Sequence, residues 1–287
     1  MKKRFLIILS ALALLLSGCA QPQSHKKLQV VAAIFPEYDW VRQIVGDDDS
    51  VELTLLVDDG VDPHSFQPAV SDMVTAANCD LLIYGGGESD QWLTKLEATN
   101  PNRETLVLLP LLGAQAHREE VVEGMEAHEE GEAEDDAEMD EHVWLSLRNA
   151  SLFCQAITDA LCCLNPGKAD TYRANLAAYQ QQLDALDNDY NLNYYAAFPG
   201  CSAETGASFE TVVFLSDKVK ELGLNALLVT ESSDGRMAKT VAQNAGSPDM
   251  PVLTLNSMQS VSGESAKSLD YLTVMSENLR VLKQALA

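Results

Sequence analysis

The sequence predicts an α/β protein with two parallel-sheet lobes joined by a long, rigid connecting helix. Strand-like and helix-like patterns alternate over residues 28–150, and the alternation resumes over residues 191–287. Between these two regions, residues 151–190 have the composition and periodicity of helices. A chain of 287 residues also allows about two domains.

The N-terminal lobe begins with a nearly continuous apolar run, residues 28–35, which is typical of a parallel strand buried on both faces. Pro36 then favours the start of a helix. Further strands and helices alternate after it. The predicted strands are 51–57, 80–84 and 105–109, and the predicted helices are 36–44, 71–77 and 91–96.

Two helices are predicted between the lobes, over residues 149–164 and 169–190. In the second, apolar side chains recur at alternating spacings of four and three residues, which places them on one stripe. They are Tyr172, Leu176, Tyr179, Leu183, Leu186 and Tyr190. At about 1.5 Å per residue this helix extends roughly 30 Å, long enough for a stiff connector.

The C-terminal lobe repeats the alternation over a shorter length, so an α/β arrangement is predicted there too. Its predicted strands are 194–198, 226–230 and 252–255, and its predicted helices are 209–222, 235–245 and 266–286.

Residues 1–18 have the form of a signal peptide, with a basic start and an apolar stretch too short to span a bilayer comfortably. They lead into Leu16-Ser17-Gly18-Cys19, which resembles a bacterial lipobox, so we expect lipid on Cys19 and a polar tether over residues 19–27. An ordinary secretory signal is the alternative. Either way the protein is expected outside the cytoplasm, and lipidation would anchor it to the cell membrane.

The net charge is strongly negative. It is −24 for the whole chain, and loss of the signal peptide removes three basic residues and no acids, which gives −27. Such a surface argues against nucleic acid as a partner and suits a protein that attracts cations.

Two histidines lie in distinctive local sequences. His64 lies within Pro63-His64-Ser65-Phe66-Gln67-Pro68, and His142 lies within Asp140-Glu141-His142-Val143-Trp144. Imidazole suits zinc and neighbouring first-row metals. The pair therefore predicts a site for a divalent metal ion, although a purely structural role for both histidines is the alternative.

An acidic loop, residues 117–141, separates the two histidines and carries His117 and His128. Like charges at this density disfavour compact structure, so a surface loop is predicted. It is either a solvated insertion or a weak collector of cations near a binding site.

Together these segments resemble the zinc/manganese class of solute-binding lipoproteins of bacterial ABC importers. The resemblance rests on the two histidine contexts, the acidic loop, the long helix and the closing segment 271–279. It implies two α/β lobes with metal in the cleft between them, and delivery of the ion to an ABC permease by a monomeric receptor. It also implies that His64 and His142 are the two ligands from the N-terminal lobe.

The C-terminal lobe departs from the family pattern. The family has a strand and a ligand-bearing loop directly after the long helix, and this chain passes almost directly from residue 190 to residue 194, so its C-terminal lobe is expected to be shortened. Asn256 falls where the fourth ligand, usually an acid or histidine, follows the last strand. Three acids could substitute as ligands, and helix capping or surface solvation is the alternative for each: Glu204, Glu210 and Glu231.

The leading functional prediction is a receptor for Zn²⁺, or alternatively Mn²⁺, with His64, His142, Asn256 and Glu204 as candidate ligands. A divergent paralogue that only buffers metal is a second possibility. A zinc-dependent hydrolase, with Glu141 as its base, is the rival from another class. It is disfavoured because the chain has no His-Glu-x-x-His motif and no nucleophile elbow.

Overall fold

The computed structural model describes residues 26–96, 99–119, 122–125, 139–187, 194–198 and 207–287. The predicted signal peptide and Cys19 lie outside these residues. Among the described residues, no helix is both long and apolar enough to cross a membrane.

The N lobe contains one four-stranded sheet with the order β2-β1-β3-β4, in which every pairing is parallel. Its strands are β1 (Leu28–Ala32), β2 (Val51–Leu55), β3 (Leu81–Tyr84) and β4 (Glu104–Val107). Its helices are α1 (Phe35–Val45), α2 (Val70–Asn78) and α3 (Gln91–Thr94). The predicted alternation of strands and helices in this lobe is therefore confirmed.

The two central strands of this sheet are covered on both faces. All four residues of β3 are fully buried, and Val30 to Ala32 of β1 are nearly so. Apolar runs without alternation produce this arrangement, because a parallel sheet hides both of its faces beneath helices. Helix α1 packs on β1 and β2 of this sheet.

Two long helices follow, α4 (Leu147–Leu164) and α5 (Ala169–Leu186), which pack against each other and against α1. The predicted stripe is confirmed for the buried side chains of Tyr172, Leu176, Tyr179 and Leu183. The helix ends at Leu186, and residues 188–190 of the predicted helix lie outside the described residues.

The C lobe has a two-stranded parallel sheet among its described residues. Its elements are α6 (Phe209–Leu222), β5 (Leu227–Thr230), α7 (Arg236–Asn244), β6 (Val252–Leu255), α8 (Gly263–Ala266) and α9 (Tyr271–Ala285).

Two predictions for the C lobe were wrong in detail. Residues 194–198 form no strand, because Tyr195 packs against Phe214 of α6 instead of extending into a sheet. The predicted final helix, 266–286, begins later, at Tyr271, and Asp270 caps it by accepting a hydrogen bond from the backbone N–H of Thr273.

The start of α9 is fastened to the N lobe. The Asp39 carboxylate, on α1, accepts a hydrogen bond from the Tyr271 backbone N–H at 2.9 Å, and Arg42 donates to the carbonyl of Ala266 at 2.8 Å. The Tyr271 ring is fully buried and meets Trp40 edge-on at 5.3 Å. The C-terminal helix therefore shares the core of the N lobe and holds the two lobes together.

Candidate metal centre

His64 lies in a short 3₁₀ turn, Pro63–Ser65, in the loop that follows β2. Pro63 opens the turn with its fixed φ, and the Asp62 carboxylate caps it by accepting a hydrogen bond from the His64 backbone N–H at 2.9 Å. The site therefore lies beyond the carboxyl ends of the parallel strands, where ligands of open α/β sheets usually bind.

His142 immediately precedes a second 3₁₀ turn, Val143–Leu145, which leads into α4. The Asp140 carboxylate lies 2.9 Å from both the backbone N and the ring Nδ1 of His142. The hydrogen bond from the His142 ring lowers the pKa of Asp140, so the Asp140 carboxylate is held in its charged form. The ring of His142 is thereby fixed with Nε2 directed away from Asp140.

The two rings bring their Nε2 atoms to 3.3 Å from each other. A tetrahedral ion with Zn–N bonds of about 2.0–2.1 Å separates two ligand nitrogens by roughly 3.3–3.4 Å. The spacing of the pair therefore fits two ligands of one shared zinc ion.

A second carboxylate supports His64. One Glu141 oxygen lies 3.2 Å from His64 Nδ1 and accepts a hydrogen bond from the Ser89 hydroxyl at 2.8 Å. Gly87 makes this approach possible, because a Cβ at that position would lie 2.0 Å from Glu141. The Ser89 hydroxyl oxygen also lies 3.2 Å from His64 Nδ1, so Asp140 contacts His142 directly while Glu141 and Ser89 together support His64, an outer shell of the kind common at zinc sites.

Two further acids lie near the site, Asp90, which is half-buried, and Glu37, which is buried. Asp90 borders a cavity of about 20 Å³ that His64, Ser89 and Glu141 also line. Burial raises the pKa of Asp90 to about 6, and the nearby charge of Glu141 adds to this increase. Burial also raises the pKa of Glu37, on α1, well above its usual value, and the charge of Asp90 adds to this.

The C lobe reaches the histidine pair through Gln259, in the loop after β6. Its side-chain amide lies 3.1 Å from His142 Nε2, and the residue is buried. The other end of this amide lies 2.9 Å from the Ser257 hydroxyl oxygen, and the Glu231 carboxylate accepts from both the hydroxyl and the backbone N–H of Ser257. Gln259 was not predicted, and its position in a loop at the carboxyl end of a strand is the signal that could have identified it.

Asn256 has a different role in the same loop. Its side-chain oxygen accepts a hydrogen bond from the Met258 backbone N–H at 2.8 Å, while its backbone N–H and C=O pair with the side chain of Asn278. Met258 has a φ of 62°, an uncommon value for a residue other than glycine. Asn256 therefore shapes the turn that presents Gln259.

The remaining predicted acids are placed as follows. Glu204 lies outside the described residues, as does Cys19. Glu210 is exposed in the first turn of α6, and Glu231 holds Ser257. Within the described part of the chain, no group of three or more His, Cys, Asp or Glu side chains is arranged to hold a metal ion. The described donors are thus two imidazoles and one amide.

Trp144 connects the two sides of this site. Its indole N–H donates to the Ser257 carbonyl at 2.9 Å, and its own carbonyl accepts from the Tyr271 hydroxyl at 2.6 Å. The ring lies 5.3 Å from that of His142. The position of the Gln259 loop is therefore tied to the segment that carries His142.

Comparison with known proteins places this arrangement in a family. The sequence profile described as "Zinc-uptake complex component A periplasmic" matches residues 30–191 and 188–285. The chain belongs to this family. The two matched parts overlap at residues 188–191, shortly after α5 ends at Leu186.

Relatives agree with this family. Zinc-binding lipoprotein AdcA of Streptococcus pneumoniae serotype 4 is 28% identical over 319 residues, which cover 99% of this chain and 61% of the relative. The chain thus spans less than two thirds of that protein. ScbA of Streptococcus cristatus, a metal ABC transporter substrate-binding lipoprotein, is 26% identical over the full length of both chains.

The fold agrees as well. The crystal structure of Zn(II)-bound AdcA from Streptococcus pneumoniae matches with a TM-score of 0.69 and 25% identity, and the match covers 90% of this chain and 57% of that one. The α/β fold class predicted from the sequence is thereby confirmed.

Proposed function

We propose that this protein is an extracytoplasmic, lipid-anchored receptor that captures Zn²⁺ and delivers it to the permease of an ABC importer. The observation that carries the proposal is the pair of Nε2 atoms 3.3 Å apart, each ring supported at Nδ1 by a carboxylate. Lipid on Cys19 would supply the anchor, and a monomer would suffice because both histidines come from one chain.

The proposed ligands are His64, His142 and the amide oxygen of Gln259, with water or Glu204 completing the coordination sphere. Rotation of the Gln259 amide by half a turn would place its oxygen toward the pair, since nitrogen and oxygen of an amide occupy nearly equivalent positions. Gln259 replaces Asn256 in this set because the Asn256 oxygen already accepts from Met258.

The donor set favours zinc over manganese. Two imidazoles suit Zn²⁺, whereas Mn²⁺ is better served by carboxylates and water. The described donors are all neutral, so Asp140 and Glu141, one contact further out, must balance much of the ion's charge. We expect weaker binding than at a site with a carboxylate in direct contact.

This neutral donor set is also what favours a second candidate, a paralogue that buffers zinc without importing it. The two functions differ in whether the loaded protein stimulates its permease. Transport by a membrane preparation containing the importer distinguishes them, because a buffer alone would lower uptake.

Competitive titration of Zn²⁺ against a chelator tests the site. His64→Ala and His142→Ala should each weaken binding by at least about 100-fold, because each removes one of two strong donors. His117→Ala is the matched control, since His117 is exposed in the acidic loop and should leave affinity unchanged. Equal affinities of the wild type and both site variants would overturn the proposal.

A further inference from the structure

A short turn within the acidic loop, Val122–Met125, lies against helix α6 of the C lobe. A Cβ on Gly124 would lie only 2.1 Å from Cδ1 and 2.2 Å from Cε1 of the Phe214 ring, so the backbone of Gly124 is in direct contact with that ring. Gly124 also has a φ of +89°, which favours glycine. Two independent constraints therefore require a residue without a side chain at this position.

Charge complements this contact. Lys218, one turn along α6 from Phe214, places its ammonium 4.0 Å from the Glu123 carboxylate and 3.2 Å from Glu221. The same ammonium lies 5.1 Å from the centre of the Tyr195 ring and 5.5 Å from that of Phe214. An acidic turn thus meets a cation held among aromatic rings.

The turn is closed by its own hydrogen bonds. The Met125 backbone N–H donates to the Val122 carbonyl at 3.2 Å, and the Val122 N–H donates to the Met125 sulfur at 3.3 Å. Its conformation is therefore defined locally as well as by α6.

The loop that carries this turn starts beside the metal centre. Arg118 pairs with Met139 in an antiparallel bridge, and the Asp140 N–H donates to the His117 carbonyl at 2.9 Å. Asp140 is also the carboxylate that orients His142. Only two residues separate Val122 from Glu119, which lies at this base. The three Cα–Cα steps between them, of about 3.8 Å each, allow the two residues to lie at most roughly 11 Å apart.

We propose that the turn Val122–Met125 is a strap that docks on the Phe214–Lys218 face of α6 and limits separation of the two lobes. Because the tether is short, the lobes cannot part widely while Gly124 remains on Phe214. The base of the loop positions Asp140, and the strap links this base to the C lobe. Release of the turn and opening of the metal centre are therefore coupled.

Hydrogen exchange of the metal-free protein tests the docking without reference to zinc. In the wild type, the amide of Met125 should exchange more slowly than an unstructured amide. Gly124→Ala should raise this rate at least about fivefold, the low end of typical coupling between sites. Gly246→Ala is the control, since Gly246 has a similar φ of +81° and open space around its Cβ position.

Phe214→Leu alters the contact from the other side and should raise exchange at Met125 as well. An unprotected Met125 amide in the wild type would overturn the strap. Equal rates in the wild type and Gly124→Ala, or the same increase in Gly246→Ala, would overturn it too.

The effect on the metal rests on the proposed function. Release of Zn²⁺ from the loaded protein into excess chelator should be at least about fivefold faster in Gly124→Ala than in Gly246→Ala. Equal release rates would overturn the role of the strap in holding the lobes. Absence of zinc binding by the wild type would instead overturn the proposed function, and the exchange result would stand.

Discussion

The sheet of the N lobe is closed to solvent on both faces of its central strands, whereas the sheet of the C lobe is partly open. Ile83 in β3 is 0% exposed, while Leu228 in β5 is 43% exposed and Phe209 in α6 is 75% exposed. Burial of apolar surface is the main stabilising term in folding. The comparison teaches that the N lobe is the more densely packed part and that the C lobe gains much of its burial from contacts with it.

The same difference recurs at the metal centre. His64 and His142 are each fixed by a backbone turn and a carboxylate within the N lobe. Gln259 is fixed by Ser257, which in turn depends on Glu231 and on Trp144 from the other lobe. The C lobe therefore contributes one donor, Gln259, and the position of this donor depends on a contact with the N lobe.

The largest expected effect is on stability. Ile83→Ala should reduce the free energy of unfolding by about 2–5 kcal/mol, because it leaves a cavity in a fully buried strand. Leu228→Ala, its counterpart in the C lobe, should cost under about 1 kcal/mol. Urea denaturation measures both, and equal losses would remove the distinction between the lobes.

An intermediate effect is expected from Asp90, which is half-buried and lines the same small cavity as His64. Its folded pKa of about 6 exceeds an unfolded value of about 3.9, so the folded state binds more protons between these values. Stability should therefore fall as pH rises through this window, by at most about 3 kcal/mol.

Asp90→Asn tests this dependence. The amide oxygen can still accept from the Gly86 N–H, which lies 3.0 Å from the Asp90 carboxylate, but it cannot ionise. Urea denaturation at about pH 4 and about pH 7 should show a smaller loss of stability in this variant than in the wild type. Asp170→Asn, on the exposed surface of α5, is the control and should keep the wild-type slope. An unchanged slope in Asp90→Asn would contradict the role of this carboxyl.

The smallest expected effect concerns the donor from the C lobe. Gln259→Glu should tighten zinc binding about tenfold, or about 1.4 kcal/mol, because it places a carboxylate where the amide now lies. Asn256→Asp should have little effect, because the Asn256 side-chain oxygen already accepts a hydrogen bond from the Met258 backbone N–H. A gain in Asn256→Asp and none in Gln259→Glu would reverse the assignment.

The sequence predicted the N lobe well because its signals are local. A continuous apolar run such as Leu81–Tyr84 is a strand buried on both faces, and the contexts of His64 and His142 each form a short turn. That the two rings meet could be expected from the family resemblance, but the distance between them depends on how the loops pack.

The C lobe was harder to predict for physical reasons. An apolar run as short as residues 194–198 does not distinguish a strand from a segment that packs on a helix, and Tyr195 packs on Phe214. Gln259 faces His142 only because the chain reverses at Met258, whose φ of 62° is not evident from a methionine in the sequence.

X-ray absorption at the zinc edge tests the central claim most directly, because it counts imidazole ligands on the bound ion. The wild type and the control His117→Ala should show two imidazoles with Zn–N distances of about 2.0–2.1 Å, and His142→Ala should show one. The same count in His142→Ala as in the wild type, or a wild-type ion without imidazole, would contradict the assignment of His64 and His142 as the zinc site.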